Sequence, residues 1–502
     1  MRAEDETSRK HELRALVVRG LGWKLGSQIV VQSAAVAATV VLARLLTPRE
    51  LGLAAMVLVF SGLAFLLSDL ALGAALVQRE ELSEADRSTA FWTSAAIGAL
   101  LTVLAVALAG PVASIYNEPE ARPLLRVLSL SFLFTTLGTT QGALLIRDLR
   151  FRALELRTMF ATLAGVAVAI VVAARGFGPW ALIGQQLAST GLSTALLWGS
   201  SSWRPRLVFS RRSLQTLIDF GGFVFGSRLL FYLNRNVDNF LVGRYLGAAK
   251  LGPYTLAYNI MLIPLNRVAS PVQQVFFPAL SRIRDPKRVG ELWVRTSRLV
   301  ATVAVPALVG LAIVAPEFVD VVLGSRWHAA VRVLQILCWV GLLQSLMGQN
   351  TSVLQAVGQV RALFRFAGLS ASLTITAYAV GLLWGIVGVA AAYAIVTTVL
   401  QPYYAWITGR AVGVSPLRFL AGLRGVLEAA AGMGVVVLAA RLLLLALDVS
   451  PAARLAVLAV LGIGVFVALG AWRSPEVLGE LRRVRQRPES PQLPGPDPAT
   501  PR

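Results

Sequence analysis

The side chains best placed to do chemistry are ionisable groups inside long apolar stretches. Stretch 216–245 carries Arg228, Arg235 and Asp238, interleaved with Tyr232, Asn234, Asn236 and Asn239. Read as a helix, it puts Arg228 and Arg235, seven residues apart, on one face, with Asp238 one turn beyond Arg235 and within pairing reach. At a rise of about 1.5 Å per residue, both arginines fall within about 10 Å of the helix midpoint. Stretch 22–46 spaces Lys24, Gln28 and Gln32 as one polar stripe. Stretch 249–280 carries Asn259, Asn266, Arg267, Ser270, Gln273 and Gln274, with Pro264 and Pro271 expected to bend it, and stretch 51–76 holds Asp69. A charge at the centre of a bilayer costs about 2.5–3.5 kcal/mol even on the lenient insertion scale, so such groups face an interior. Lys24, Arg228, Arg235 and Arg267 together suit an anion, and phosphate first, because a guanidinium fork matches its oxygens. A structural reading competes: Arg235 and Asp238 form an ion pair between helices, and Lys24 snorkels to the interface. Asp69 and Asp238 are the candidate coupling carboxylates or counter-ions.

The elements that must position these groups are membrane helices. The chain of 502 residues is 56% hydrophobic and only 15% charged, with a mean hydropathy of +0.68. Ordinary soluble chains are about 25% charged. Segments 88–117, 176–203 and 366–409 contain no Asp, Glu, Lys or Arg. A span needs about 20 apolar residues, so the first two hold one each and the third holds two. Strand alternation is absent, which argues against a β-barrel. About fourteen helices fit between residues 22 and 471, the fold class being an all-α polytopic membrane protein. With the N-terminus inside, the cytoplasmic loops and adjoining helix ends carry 32 of the 47 Lys and Arg, the outer ones 10 and the span interiors 5. This asymmetry places both termini in the cytoplasm and accounts for the net charge of +21 without nucleic acid. Arg44 and Arg244, at helix ends on the outer side, are expected to be interfacial anchors.

Several chemistries are excluded. No phosphate-cradling P-loop and no polar loop with paired carboxylates is present, so an ATPase or glycosyltransferase has nowhere to work. His11 and His328 are far apart and Cys338 is alone, so neither a metal, a cofactor nor an internal disulfide is expected. The start of the chain lacks the pattern of a cleavable signal peptide.

An internal repeat organises the helices. At an offset of 200, Gly22 matches Gly222, Gly26-Ser27 matches Gly226-Ser227, Arg44 matches Arg244, Leu46 matches Leu246, and Leu51-Gly52 matches Leu251-Gly252. Both copies start on the same side, so the repeat is parallel, with its axis along the membrane normal. Two such halves rocking about a midplane site give alternating access. The expected organisation is a basic N-terminus (1–21), an N-lobe of helices 1–6 (22–200), a cytoplasmic linker (201–215), a C-lobe of helices 7–12 (216–408), two added helices (409–471) and a disordered, Pro-rich cytoplasmic tail (472–502).

The motifs resemble a known family. Trp203-Arg-Pro, Phe220-Gly-Gly, Asp238 followed by Gly243-Arg-Tyr-Leu-Gly, Leu251-Gly-Pro-Tyr, Val275-Phe-Phe-Pro-Ala-Leu-Ser, Gly324-Ser-Arg-Trp-His-Ala-Ala and Gly176-Phe-Gly-Pro-Trp-Ala-Leu occur in the order and spacing of bacterial polysaccharide and lipopolysaccharide exporters. These form the oligosaccharide-flippase branch of the multidrug/oligosaccharidyl-lipid/polysaccharide superfamily. The resemblance spans about residues 15–410. It implies two six-helix lobes around a cavity and passage of an undecaprenyl-pyrophosphate-linked oligosaccharide from the cytoplasmic to the periplasmic leaflet of the inner membrane. On that reading the four cations hold the pyrophosphate, and the amides Gln28, Gln32, Asn259, Asn266 and Gln273 meet sugar hydroxyls. Implied partners are the lipid-linked oligosaccharide, membrane lipids, and a polysaccharide polymerase or glycosyltransferases. The alternative on the same fold is a drug or cation antiporter, whose cavity should be rich in acids.

Overall fold

The computed structural model describes residues 26–69, 81–211, 213–215, 235–280 and 285–473, with 23, 73, 76, 77, 232 and 283 between them. Lys24 and Arg228 lie outside the described residues, as does nearly all of 216–234 in the expected seventh helix; of Asp69, Arg267 and Gln273 only the helical backbone is described. Among the described residues fourteen longer helical segments follow one another, with a short helix Asn350–Ala356 after the tenth: α1 (Gly26–Leu45), α2 (Pro48–Asp69), α3 (Glu84–Tyr116), α4 (Ala121–Arg147), α5 (Phe151–Ala174), α6 (Trp180–Ser200), α7 (235–246), α8 (Ala248–Leu280), α9 (Pro286–Phe318), α10 (Ala329–Met347), α11 (Val360–Gly381), α12 (Gly385–Val412), α13 (Pro416–Ala446) and α14 (Pro451–Arg473). Among the described residues there is no strand, and nine helical segments are long and apolar enough to cross a membrane. The chain is an all-α polytopic membrane protein.

Short-range chemistry sets the helix boundaries. Thr47 and Glu50 form a reciprocal cap at the start of α2: the Thr47 N–H donates to Glu50 Oε2 at 2.7 Å and the Glu50 N–H to Thr47 Oγ1 at 3.3 Å. Ser83 and Asp86 do the same for α3. A π-type turn, Val319–Leu323, continues α9 and stops at Gly324, whose φ of 104° suits only glycine. The linker after α6 is pinned along the start of α3. Trp203 Nε1 donates to Glu84 Oε1 at 2.9 Å, Trp92 Nε1 to the Arg206 carbonyl at 2.8 Å, and the Ser210 N–H to Thr89 Oγ1 at 2.9 Å.

The chain packs as two compact units. The first comprises Met1–Ile260, Phe318–Ile336 and Leu369–Val396; the second comprises Met261–Glu317, Leu337–Gly368 and Thr397–Arg502. The six-helix lobes are a division by repeat rather than by packing, and they return below as part of the proposal.

Within the first unit the repeat becomes a contact. α2 and α8 begin exactly one repeat apart, and their first turns meet backbone to backbone. A Cβ on Gly52 would overlap the Ala248 carbonyl oxygen, and one on Gly252 would overlap the Pro48 carbonyl oxygen, the repeat-equivalent atom. Arg44 and Arg244, the residues expected as interfacial anchors, also make contacts within the protein. Each reaches carbonyl or amide groups at the end of another helix. Arg44 donates from Nε to the Val322 carbonyl at 2.9 Å and from Nη2 to the Val321 carbonyl, at the end of the turn that continues α9. Arg244 Nη1 donates to the side-chain oxygen of Asn117, the residue closing α3, at 3.1 Å in the amide orientation that satisfies both groups. Such ends carry carbonyls with no partner in their own helix, and a cation there is favourable. Two family motif residues serve the same corner: the buried Trp327 donates from Nε1 to the Ala43 carbonyl at 2.6 Å, and Arg326 Nη1 to the Leu46 carbonyl at 3.3 Å.

The second unit is held by an aromatic centre and a buried ion cluster. Trp293 of α9 is fully buried, stacks on Phe419 of α13 with centroids 4.3 Å apart, and donates from Nε1 to Asn350 Oδ1 at 2.9 Å. Glu317, 3% exposed at the end of α9, accepts Arg441 Nε of α13 at 2.9 Å and faces Arg454 Nε of α14 at 3.3 Å. One carboxylate thus fastens both C-terminal helices to α9.

Two outcomes are expected. Gly52→Ala and Gly252→Ala should each destabilise the protein by about 1–3 kcal/mol, because neither backbone can retreat without repacking. Gly464→Ala, which meets open space, should be neutral; thermal unfolding in detergent compares the three. Glu317→Gln should cost about 3–5 kcal/mol by leaving the buried Arg454 and the half-buried Arg441 without a counter-charge, whereas replacing Glu317, Arg441 and Arg454 together by apolar residues of similar volume should cost far less. The same unfolding measurement, run on both variants, decides this.

Candidate functional site

The site is built on the faces of five helices in the first unit. α1 contributes Thr39, α6 Gln185, α7 Asn236 and Asn239, and α8 Thr255 and Asn259, around a cavity of about 380 Å³. Ala35, Leu42, Leu58 and Val59 supply part of an apolar wall. Asn236 and Asn239 are three apart, so α7 presents both on one face. Local hydrogen bonds orient them: Asn236 Nδ2 donates to the Tyr232 carbonyl at 2.9 Å, and Asn239 Oδ1 accepts from Thr255 Oγ1 at 3.3 Å. Tyr232 is itself held by a bond from its hydroxyl to the Val59 carbonyl of α2.

Among the described residues, no charged side chain lines this cavity. Four carboxamides and two hydroxyls do, and each carboxamide offers both donors and acceptors. That chemistry matches a neutral, hydroxyl-rich ligand. The cavity volume falls within the range of about 300–1,000 Å³ usual for ligand sites.

Asp238 lies beside the site on another face of α7. It is 2% exposed, and its oxygens accept the Tyr254 hydroxyl at 2.9 Å and the Asn239 N–H at 2.8 Å. The sequence spacing suggested Arg235 as its partner. Tyr254 of α8 donates to it, and the exposed Arg235 acts on it through its charge. Asp238 therefore ties α7 to α8 and holds the turn of α7 that carries Asn239.

Of the sequence-derived sugar-binding candidates, Asn259 lines the cavity. Gln28 is exposed and Gln32 half-buried on α1, and Asn266 is exposed two turns along α8 from Asn259; none of these lines the cavity. Gln185 and Thr39 were not singled out. Gln185-Gln186 is a polar interruption of an apolar helix, and that signal was available. Asn236 and Asn239 were noticed as neighbours of the cations, yet they form the site without them.

Comparison with known proteins places this geometry. Residues 41–332 match the model of a family described as "Polysaccharide biosynthesis protein". The lipopolysaccharide biosynthesis protein WzxC of Escherichia coli is 31% identical over 376 residues, covering 74% of this chain and 76% of that one. The succinoglycan biosynthesis transport protein ExoT of Rhizobium meliloti is 29% identical, covering 79% and 80%. In fold, the chain superposes on the lipid II flippase MurJ in an inward closed conformation with a TM-score of 0.72 at 15% identity, covering 94% of this chain and 100% of that one.

Asp238→Leu should destabilise the protein by about 1–3 kcal/mol, because the buried Tyr254 hydroxyl loses its acceptor. Adding Tyr254→Phe should recover part of that loss, since the two residues act as one unit. A double-mutant cycle on thermal unfolding measures the coupling, and additive effects would count against the pairing.

Proposed function

The chain belongs to the polysaccharide biosynthesis protein family, and on that premise we propose that it carries a lipid-linked saccharide across the membrane. In full, it moves an undecaprenyl-pyrophosphate-linked oligosaccharide from the cytoplasmic to the periplasmic leaflet of the bacterial inner membrane, with both its termini in the cytoplasm. Two six-helix lobes, 22–200 and 216–408, alternate access to a shared interior, with 409–471 added outside and 201–215 as the linker. Lys24, Arg228, Arg235 and Arg267 hold the pyrophosphate. Gln28, Gln32, Asn259, Asn266 and Gln273 meet the saccharide, together with Gln185, Asn236 and Asn239. Asp69 and Asp238 are the candidates for proton coupling or fixed counter-charge. Partners are the lipid-linked oligosaccharide, the surrounding lipids, and a polysaccharide polymerase or glycosyltransferases acting before and after it. The protein is a transporter and not an enzyme.

The observation that carries this reading is the cavity lined by carboxamides. Sugar hydroxyls are paired donors and acceptors, and Asn and Gln side chains match them group for group without an ionic term. A drug or cation antiporter on the same fold would place a free carboxylate in the lining. Among the described residues no acid lines this cavity, and Asp238 beside it already accepts from Tyr254.

In the producing bacterium, replacing the chromosomal gene by one encoding Asn239→Leu with Asn259→Leu should abolish surface polysaccharide and trap the lipid-linked oligosaccharide in the inner leaflet. Both are read by lectin labelling of intact and lysed cells. Normal surface polysaccharide, with efflux of ethidium lost instead, would favour the antiporter.

A further inference from the structure

A second polar cavity lies in the first unit, between α4, α5 and α6, and shares no residue with the carboxamide site. Its volume is about 620 Å³. α4 lines it with Thr135 and Thr139, and α6 with Ser189, Thr190, Ser193 and Thr194. Among the described residues, Arg157 of α5 is its only charged lining residue.

The hydroxyls and the arginine divide the hydrogen-bonding work. Four hydroxyl protons are spent on backbone carbonyls: Thr135 donates to Ser131 at 2.8 Å, Thr139 to Thr135 at 3.3 Å, Thr190 to Gln186 at 2.7 Å, and Thr194 to Phe134 at 2.6 Å. Their oxygens keep lone pairs and so act as acceptors. Donors come from Arg157, whose Nη2 also donates to Thr158 Oγ1 at 3.2 Å, and from the hydroxyls of Ser189 and Ser193. Among the described residues no carboxylate lies within salt-bridge distance of it; Glu155, two residues away on α5, accepts the Ser27 hydroxyl and acts on Arg157 through its charge alone. A half-buried guanidinium that lines a cavity of ligand size together with six hydroxyl side chains is complementary to one kind of molecule. It must carry an anion for the arginine and several hydroxyl donors for the serines and threonines. A phosphate ester of a polyol has both, and the fork of Arg157 matches its oxygens.

We propose that this cavity is a binding site for a phosphorylated, hydroxyl-rich headgroup, with Arg157 on the phosphate and the hydroxyls of α4 and α6 on the polyol. Two membrane sources share that chemistry: a saccharide phosphate on a lipid carrier and the glycerol phosphate of bulk phospholipid. The cavity reaches Ile146 and Arg157, close to the α4–α5 turn, where Arg147, Arg150 and Arg152 cluster. In the expected orientation this is the cytoplasmic side, where an outbound saccharide lipid is first met. The choice of saccharide as the source rests on the transport reading above; the chemistry of the site does not.

The test uses the full-length protein in phosphatidylcholine nanodiscs and reads ligand binding by saturation-transfer NMR. The probes are glucose-1-phosphate, glycerol phosphate and inorganic phosphate. Glucose-1-phosphate should bind most tightly, Arg157→Gln should weaken it by about tenfold or more, and Arg157→Lys should weaken it less, keeping the charge without the fork. Thr190→Val with Ser193→Ala should weaken glucose-1-phosphate while leaving inorganic phosphate unchanged. Arg424→Gln, on an exposed face of α13, should leave all three unchanged. Monodispersity and unfolding temperature establish that each variant is folded. Equal binding of glycerol phosphate and glucose-1-phosphate would overturn the saccharide assignment in favour of phospholipid. Absence of binding, or binding indifferent to both Arg157 variants, would overturn the site. Loss of the transport reading in cells, with Arg157-dependent binding intact, would count against the function proposed above and leave this site standing.

Discussion

Two helix starts, one repeat apart, approach so closely that neither can carry a side chain at the point of contact. Gly52 faces the Ala248 carbonyl and Gly252 faces the Pro48 carbonyl. Inside a bilayer, helices gain little from hiding apolar surface, since lipid is equally apolar, and small residues that admit close backbone packing do that work. The cavity depends on this contact. α2 supplies part of its apolar wall and α8 contributes Thr255 and Asn259, one and two turns beyond Gly252. Arg44 and Arg244 brace the same arrangement by reaching the ends of the α9 turn and α3.

The second unit solves a different problem, that of attaching two extra helices in a medium that offers no hydrophobic drive. Glu317 does so with charge. Its contacts with Arg441 and Arg454 are strong because no water competes and costly to break for the same reason. Such a cluster specifies which face of α13 and α14 turns inward, which their broadly apolar surfaces do not.

Much of this was legible in the sequence and some was not, for identifiable reasons. The helices were legible because span length and the alternation of basic loops are local properties of the chain. The offset-200 repeat was legible as identity, but nothing in it said that Gly52 and Gly252 would face each other's helix. For Arg44 and Arg244 only their position at helix ends was visible; the carbonyl and amide groups they bind come from distant chain. Charge also drew attention away from the described cavity. Arg235 seemed the natural partner of Asp238 at one helical turn; Tyr254 donates to the carboxylate, and the exposed Arg235 acts on it through its charge. The carboxamides that line the cavity carry no charge and read in sequence as tolerated polar residues. Gln185 gave the weakest signal, since a single amide in a span has many uses. Arg441 lies 124 residues beyond Glu317 and Arg454 further still, outside any spacing rule.

What unites these features is a membrane protein that keeps its polar groups for its interior. Among the described residues, one cavity offers carboxamides without charge, and another offers hydroxyls around a single arginine. The most direct measurement is translocation by the purified protein. Vesicles are prepared with undecaprenyl-pyrophosphate-linked oligosaccharide confined to one leaflet, and an impermeant lectin reads its appearance on the other. The account predicts appearance that depends on the protein and is lost with Asn239→Leu and Asn259→Leu. Appearance at the same rate in protein-free vesicles and with the wild-type protein would contradict it.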